Sequence, residues 1–252
     1  MSYFDFAQRR EKLAGQLQPP GPSSRAVLIC HPIDIAYLTG VDEGIAWLAV
    51  WEGGGFAITR HMLLREVKAE IGDFELLLPS ERSTDRVSLE GFLVSELTRR
   101  GIQQAVVDPT RMSASGYKAL EKKAESAGLE IRDEPSIVSR LRQCKDAGEH
   151  EAILRCVGIA EQAFSELIAA GSTGLLGRTE REIARELESR MIALGADRQG
   201  FPGTGIIVAS GPNSASNHHR PGDRKVAKGD ALLIDWGAEL DGYRSDTTRT
   251  LF

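Results

Sequence analysis

Residues 231–252 constrain the fold more than any other part of the chain. They begin with a continuous apolar run that ends in the carboxylate of Asp235. A run of this kind is typical of a buried strand. The pair Asp241-Gly242 follows and favours a tight two-residue turn, because both central residues of such a turn need positive φ. A second strand-like segment, rich in threonine, then carries Asp246. The sequence therefore predicts a β-hairpin.

The turn determines the register of this hairpin. With the turn at its tip, Gly237 faces Asp246, and Asp235 becomes a diagonal neighbour of Asp246 on the same face. Their Cβ atoms would lie roughly 7–8 Å apart, or closer if a bulge intervenes. Two such carboxylates repel each other, so either one takes up a proton or a cation lies between them. Carboxylate pairs can bridge two divalent metals about 3.5–4 Å apart that activate water. The spacing alone leaves another interpretation open, in which both aspartates face solvent.

A longer motif precedes the hairpin. Residues 206–223 read Ile-Ile-Val-Ala-Ser-Gly-Pro-Asn-Ser-Ala-Ser-Asn-His-His-Arg-Pro-Gly-Asp. The hairpin adds Asp-Trp-Gly-Ala, Gly-Tyr-Arg-Ser-Asp and Thr-Thr-Arg-Thr. Together these segments resemble the pita-bread metallopeptidases, and in particular their Xaa-Pro aminopeptidase and prolidase branch. Any one segment would be a weak signal, but the combined match over about fifty residues is specific.

The resemblance implies a dinuclear metal site. Asp235 and Asp246 match two of the five protein ligands that the family uses. His218 matches a histidine that lines the active site and helps to hold or protonate the substrate without binding metal; a donor there could stabilise a tetrahedral intermediate. His219 falls where the family often has another aromatic residue or a second histidine, and we expect it to contact the substrate.

The resemblance also implies that the site is incomplete within these residues. The family's other ligands, a histidine and two glutamates, come from later in the chain than Phe252. Two carboxylates would leave most coordination positions of a metal ion to water. We therefore expect the chain to be the first two-thirds of a longer protein, truncated at its C-terminus, and inactive on its own. The expected cofactors are two divalent ions, Mn²⁺ first, with Co²⁺ or Zn²⁺ as alternatives.

The earlier part of the chain alternates predicted strands with predicted helices. Strands are expected at 26–30, 47–51, 56–59, 76–78 and 105–107, and helices near 61–71, 83–100 and 113–127. This alternation indicates an α/β domain. The segment Asp34-Ile-Ala-Tyr-Leu-Thr-Gly40 resembles the N-terminal domain of creatinase and the Xaa-Pro peptidases. We expect this domain to span residues 1–142, and residues 143–252 to form the first part of an α+β pita-bread catalytic domain that is incomplete at its C-terminus.

Other polar residues are expected to be structural. Thr179 and Glu182 form a capping box, which predicts the start of a helix. The many charges of that helix predict a solvent-exposed face. His31 and His61 each stand alone at the boundary of an element, with no cluster of carboxylates beside them.

Composition excludes several classes of function. The net charge of −5 leaves no basic excess to neutralise the phosphates of a nucleic acid. No run approaches the roughly 18 apolar residues of a membrane span, and the charged N-terminus lacks the apolar core of a signal peptide. Three cysteines without metal-ligand spacing, Cys30, Cys144 and Cys156, indicate reduced thiols in a cytoplasmic protein.

These observations predict a cytoplasmic, metal-dependent hydrolase that resembles Xaa-Pro aminopeptidases and dipeptidases. Its substrates would be peptides or dipeptides with proline in second position. By analogy, its N-terminal domain would restrict access and contribute to a homo-oligomer, most simply a dimer. Two alternatives stay open: a creatinase-like hydrolase that works without metal, and a non-catalytic pita-bread binding module. The presence of both Asp235 and Asp246 argues against each alternative, and metal content would separate them from the first hypothesis.

Overall fold

The computed structural model describes residues 4–17, 24–79 and 88–252. The chain divides into two compact units, Met1–Lys145 and Asp146–Phe252. Each unit has its own sheets, helices and buried apolar clusters.

A six-stranded mixed sheet organises the first unit. Its strands are β1 (Arg25–Ile29), β2 (Ile45–Trp51), β3 (Gly54–Thr59), β4 (Leu76–Leu77), β5 (Gln104–Val107) and β6 (Glu130–Asp133). Their order in the sheet is β4-β3-β2-β1-β5-β6. The first three strands form an antiparallel meander, whereas β4 pairs in parallel with β3, and β5 pairs in parallel with both β1 and β6.

Helices cover both faces of this sheet. They are α1 (Phe6–Gly15), α2 (Pro32–Thr39), α3 (Leu64–Glu70), α4 (Leu89–Arg99), α5 (Ala114–Ala127) and α6 (Ile137–Gln143). Successive residues of a strand point to opposite faces. Val27 of β1 accordingly belongs to a cluster that includes Leu13 of α1, while its neighbour Leu28 joins the cluster containing Leu97 and Leu120 of α4 and α5. This arrangement is the α/β domain that the sequence predicts.

Two long helices and two small sheets make up the second unit. The helices are α7 (Ala147–Ile168) and α8 (Glu180–Ala193), and both begin with a capping box, that of α8 formed by Thr179 and Glu182 as predicted. The strands are β7 (Arg198–Gln199), β8 (Ile207–Ser210), β9 (Leu232–Trp236), β10 (Ala238–Leu240), β11 (Tyr243–Arg244) and β12 (Thr247–Leu251). One sheet has the order β11-β10-β7 and the other β12-β9-β8.

The core of the second unit is centred on Trp236. Its ring stacks on Phe164 of α7 with centroids 4.3 Å apart. Its indole Nε1 donates a hydrogen bond of 2.9 Å to the carbonyl oxygen of Ala160. Because the indole is almost completely buried, this partner is needed to offset the cost of desolvating the N–H group. The helix and the aspartate-bearing strand β9 are thereby held together.

Several elements differ from those expected. The predicted helix 61–71 begins as a 3-10 turn at His61–Leu63 before α3. Helix α4 starts at Leu89, and the earlier part of the predicted helix 83–100 lies mostly outside the described residues. The predicted single hairpin is divided between two sheets. The prediction that the charged residues of α8 face solvent is wrong for Glu180, which is completely buried.

Candidate active site

The hairpin that carries the two aspartates keeps one register along its whole length. At its tip, Leu240 pairs with Tyr243. Further from the turn, β9 and β12 pair Trp236 with Thr247 and Asp235 with Thr248. Asp241 and Gly242 both have positive φ, 53° and 77°, as the predicted two-residue turn requires. The same register continued by one residue from Thr247 places Asp246 opposite Gly237.

Asp235 lies on the open face of its sheet. Along β9 the buried residues alternate with half-buried ones, and Asp235 is half-buried. Its Oδ1 accepts a hydrogen bond of 2.7 Å from the Thr248 hydroxyl on the neighbouring strand. On the other side it pairs with Ile207 of β8, which is buried. One carboxylate oxygen is therefore held in place by Thr248, beside an apolar neighbour.

Asp246 lies two residues before Thr248, just outside β12, and is exposed. Since side chains alternate along an extended strand, its position is on the same face as Thr248 and Asp235. In the part of the chain that the structure describes, neither aspartate forms an ion pair with lysine, arginine or histidine. The two carboxylates are therefore diagonal neighbours that no described lysine, arginine or histidine neutralises.

The junction between the two sheets lies at Gly237 and Ser245. The Ser245 amide donates to the carbonyl oxygen of Ala238, but the Ala238 amide donates to the Ser245 hydroxyl instead of its carbonyl. That hydroxyl also donates to the carbonyl oxygen of Cys156 in α7. The serine hydroxyl thus takes the place of the Ser245 carbonyl oxygen as the acceptor for the Ala238 amide, and it also bonds the junction to α7. Beyond this interruption of the backbone pairing, β12 continues in a different sheet from β11.

The two predicted histidines occupy the loop that follows β8. This strand ends at Ser210, opposite Leu232, and Asp235 lies three positions further along β9, or roughly 10 Å. His218 is exposed. Among the described residues, no hydrogen bond or ion pair joins His218 to either aspartate. The structure thus brings the two aspartates together, while His218 lies on a separate segment.

His219 is held by a residue that the sequence analysis did not identify. Its Nε2 lies 2.7 Å from Oε2 of Glu180, the first residue of α8. Glu180 is completely buried and accepts four more hydrogen bonds of 2.8–3.1 Å: from the amide and hydroxyl of Ser210, the side-chain amide of Asn213 and the amide of Gly222. Burial by itself would raise the pKa of this carboxyl, but the hydrogen bonds from His219, Ser210, Asn213 and Gly222 outweigh it and lower the pKa to about 2.

A second buried carboxylate lies in the first unit, within the segment that resembles the creatinase N-terminal domain. Asp34 accepts hydrogen bonds from Arg111 Nε and Nη2 at 3.0 and 3.1 Å, and from Arg142 Nη1 at 3.1 Å. The neighbouring His31 lies 3.9 Å from the same carboxylate, and burial, followed by the charge of Arg111, lowers its pKa. Asp34 is therefore compensated by two guanidinium groups, as a buried charge must be.

The donor set of the hairpin fits one part of a metal site. Carboxylate oxygens are suitable ligands for Mn²⁺ and other divalent ions, and both Asp235 and Asp246 are free of cationic partners among the described residues. The same residues contain no group of three or more histidine, cysteine, aspartate or glutamate side chains that could hold a metal ion. The hairpin therefore offers two ligands, fewer than a dinuclear centre requires.

No helix of the described part is both long enough and apolar enough to cross a membrane.

Both units match models of known protein families. Residues 9–144 match the creatinase/prolidase N-terminal domain, and residues 151–252 match metallopeptidase family M24. The chain belongs to the creatinase/prolidase family of M24 metallopeptidases. The family and the fold class predicted from the sequence are thereby confirmed.

Individual relatives agree with this assignment. The chain is 30% identical to the uncharacterised peptidase YqhT of Bacillus subtilis over 247 residues, which cover 97% of this chain and 64% of that protein. It is 31% identical to a Xaa-Pro dipeptidase of Pyrococcus horikoshii over 230 residues, covering 90% of this chain and 59% of the relative. The solved structure of an X-Pro aminopeptidase from Thermotoga maritima matches with a TM-score of 0.78 at 28% identity, covering 96% of this chain and 64% of that one. The chain thus spans about three-fifths of the length of these relatives.

Proposed function

We propose that the protein containing these residues is a metal-dependent peptidase that cleaves after the N-terminal residue of substrates with proline in second position. It would act as a Xaa-Pro aminopeptidase or a Xaa-Pro dipeptidase, and relatives of both names resemble the chain. One observation carries the proposal: the register of the hairpin sets Asp235 and Asp246 on one face, and neither is neutralised by a described cationic residue.

In this proposal Asp235 and Asp246 hold two divalent ions, with Mn²⁺ expected and Co²⁺ or Zn²⁺ as alternatives. Bound ions would supply an activated water molecule as the nucleophile. Thr248 orients Asp235 through the bond of 2.7 Å to Oδ1, which leaves Oδ2 available as a ligand. His218 would donate a hydrogen bond or a proton to the substrate, and its exposure leaves the ring accessible.

The activity is proposed for a protein with a complete set of ligands. The described residues supply two, and the resemblance places three more in the family's later sequence. We therefore expect the 252 residues alone to be inactive. A homodimer and a cytoplasmic location remain part of the proposal; the three thiols, none of which forms a disulfide, are consistent with a reducing compartment.

The test is hydrolysis of matched substrates by the protein that contains these residues, after chelation and after return of each metal. We expect cleavage of Xaa-Pro dipeptides but not of the corresponding Xaa-Ala dipeptides, and only with metal present. A dipeptidase would reject Xaa-Pro-Yaa tripeptides, and an aminopeptidase would accept them. Hydrolysis that survives chelation would instead favour a creatinase-like enzyme, and neither hydrolysis nor metal binding would favour a binding module.

A further inference from the structure

The buried carboxylate of Glu180 is hydrogen-bonded to four residues of the second unit that all lie far from it in sequence. Its two oxygens receive five hydrogen bonds from partners 30 to 42 residues away. A buried charge is tolerated only when such donors compensate it. A residue at the start of a helix does not need this many distant partners for capping, since Thr179 and Glu182 already complete the capping box.

The partners of Glu180 enclose one segment, residues 211–222, which we call the histidine loop. Ser210 precedes the loop, Asn213 lies in the 3-10 turn Gly211–Ala215 that begins it, and Gly222 ends it. His219 is the fourth partner and adjoins His218. One carboxylate therefore holds both ends of the loop and the residue next to the candidate catalytic histidine.

The surroundings of Glu180 reinforce this attachment. Arg224, just beyond the loop, donates from Nη1 to the Ser210 hydroxyl at 2.8 Å and to Asp230 Oδ2 at 2.6 Å. The amide of Glu180 also donates to the carbonyl oxygen of Arg224. The loop is thus connected to the start of α8 through the side chain and the backbone of one residue.

We propose that Glu180, acting through His219, is a positioning residue that holds the histidine loop and thereby orients His218. The inference rests on the proposed function only in the role that it gives to His218. It also assigns His219 a task other than substrate contact, because the Nε2 atom is engaged by Glu180 at 2.7 Å and the side chain is only 20% exposed. A positioning role needs an N–H donor at this place but not an imidazole ring.

The test compares four variants of the 252-residue chain. Glu180→Gln keeps the shape of the side chain but turns an NH₂ group toward donors. His219→Ala removes the neighbouring donor, and His219→Gln retains an amide N–H. The control is Glu182→Gln, the same chemical change on an exposed neighbour in α8, where glutamine still completes a capping box.

Two readouts are independent of activity. Hydrogen exchange at the Ser210 and Gly222 amides should accelerate at least roughly tenfold in Glu180→Gln and His219→Ala, without change in the α7 amides, as expected for local opening. The His218 ring should give one set of NMR signals in the parent chain and shifted or multiple signals in these two variants. The Glu182→Gln variant should match the parent by both readouts, and His219→Gln should match it in the His218 signals.

A uniform acceleration across the second unit would show that Glu180 is only a stabilising residue, and unchanged His218 signals in His219→Ala would overturn the proposal. In the protein with a complete site, His219→Ala should lower kcat at least roughly tenfold with little change in KM, in keeping with a displaced proton donor. If that protein hydrolyses no peptide at all, the proposed function fails, while the exchange and NMR results still decide the role of Glu180.

Discussion

A methyl group on residue 237 would lie 1.9 Å from the carbonyl oxygen of Ser245, a distance that no packing adjustment of a side chain could relieve. Glycine is therefore required at the point where the aspartate-bearing hairpin passes from one sheet to the other. Gly237 lies between β9, which carries Asp235, and β10, and Ser245 immediately precedes Asp246. The relative position of the two aspartates depends on this close approach of backbone to backbone.

Gly237→Ala should therefore destabilise the second unit strongly, by about 2–4 kcal/mol, because backbone must move. The matched control is Gly158→Ala. Gly158 is exposed in the middle of α7, and an added methyl group there meets no atom of the described residues within 4 Å. That change should stabilise the protein by roughly 0.5–1 kcal/mol. Thermal and urea unfolding measure both, and equal effects of the two changes would contradict the account of the junction.

The free energy of unfolding should decrease on acidification over the pH range between the unfolded and native pKa values of Glu180. The hydrogen bonds to this carboxylate lower its pKa from 4.5 to about 2, so the unfolded chain takes up a proton at a higher pH than the native chain does. The contribution is fully present above pH 4.5 and is lost as the pH falls toward 2, up to roughly 3 kcal/mol. Urea unfolding between pH 2.5 and 7 should therefore show a shallower pH dependence in Glu180→Gln than in the parent.

The exposed Glu161 supplies the control for that experiment. Glu161→Gln makes the same change on the surface of α7 and should retain the pH dependence of the parent chain. If Glu180→Gln had the same stability as the parent at pH 7 and the same slope with pH, the buried carboxylate would not contribute as described.

The three cysteines should differ widely in reactivity. Cys144 is exposed, whereas burial raises the pKa of the Cys156 thiol. Burial, followed by the charges of Asp34 and Asp108, raises the pKa of Cys30 to about 11. At pH 8 only about 0.1% of Cys30 would be thiolate. Brief treatment with iodoacetamide, followed by peptide mass spectrometry, should modify Cys144 first; faster labelling of Cys30 would contradict its assigned environment.

The features predictable from the sequence were those determined by near neighbours. The pair Asp241-Gly242 specifies its own turn, and the turn specifies the pairing of Trp236 with Thr247 several residues away. The capping box of α8 is likewise a local pattern. The alternation of strands and helices in the first unit indicates the mixed sheet because each apolar run is complete within a few residues.

The features that escaped prediction depend on distant contacts. Glu180 resembles the other charged residues of α8 in sequence, and only partners at least 30 residues away make it a buried anion. The division of the hairpin between two sheets depends on the Ser245 hydroxyl, which bonds to Cys156 in a different element. The roles of Asp235, Asp246, His218 and His219 in catalysis remain predictions.

Asp246→Asn in the protein that contains these residues tests the central claim most directly. The variant removes one anionic ligand from an exposed position, so we expect Mn²⁺-dependent cleavage of Xaa-Pro substrates to fall to background while thermal unfolding stays unchanged. Asp241→Asn is the control, since it makes the same change at the tip of the same hairpin, where asparagine tolerates the positive φ of 53°. It should keep full activity. An Asp246→Asn enzyme with full metal-dependent turnover would contradict the assignment of this hairpin to the metal site.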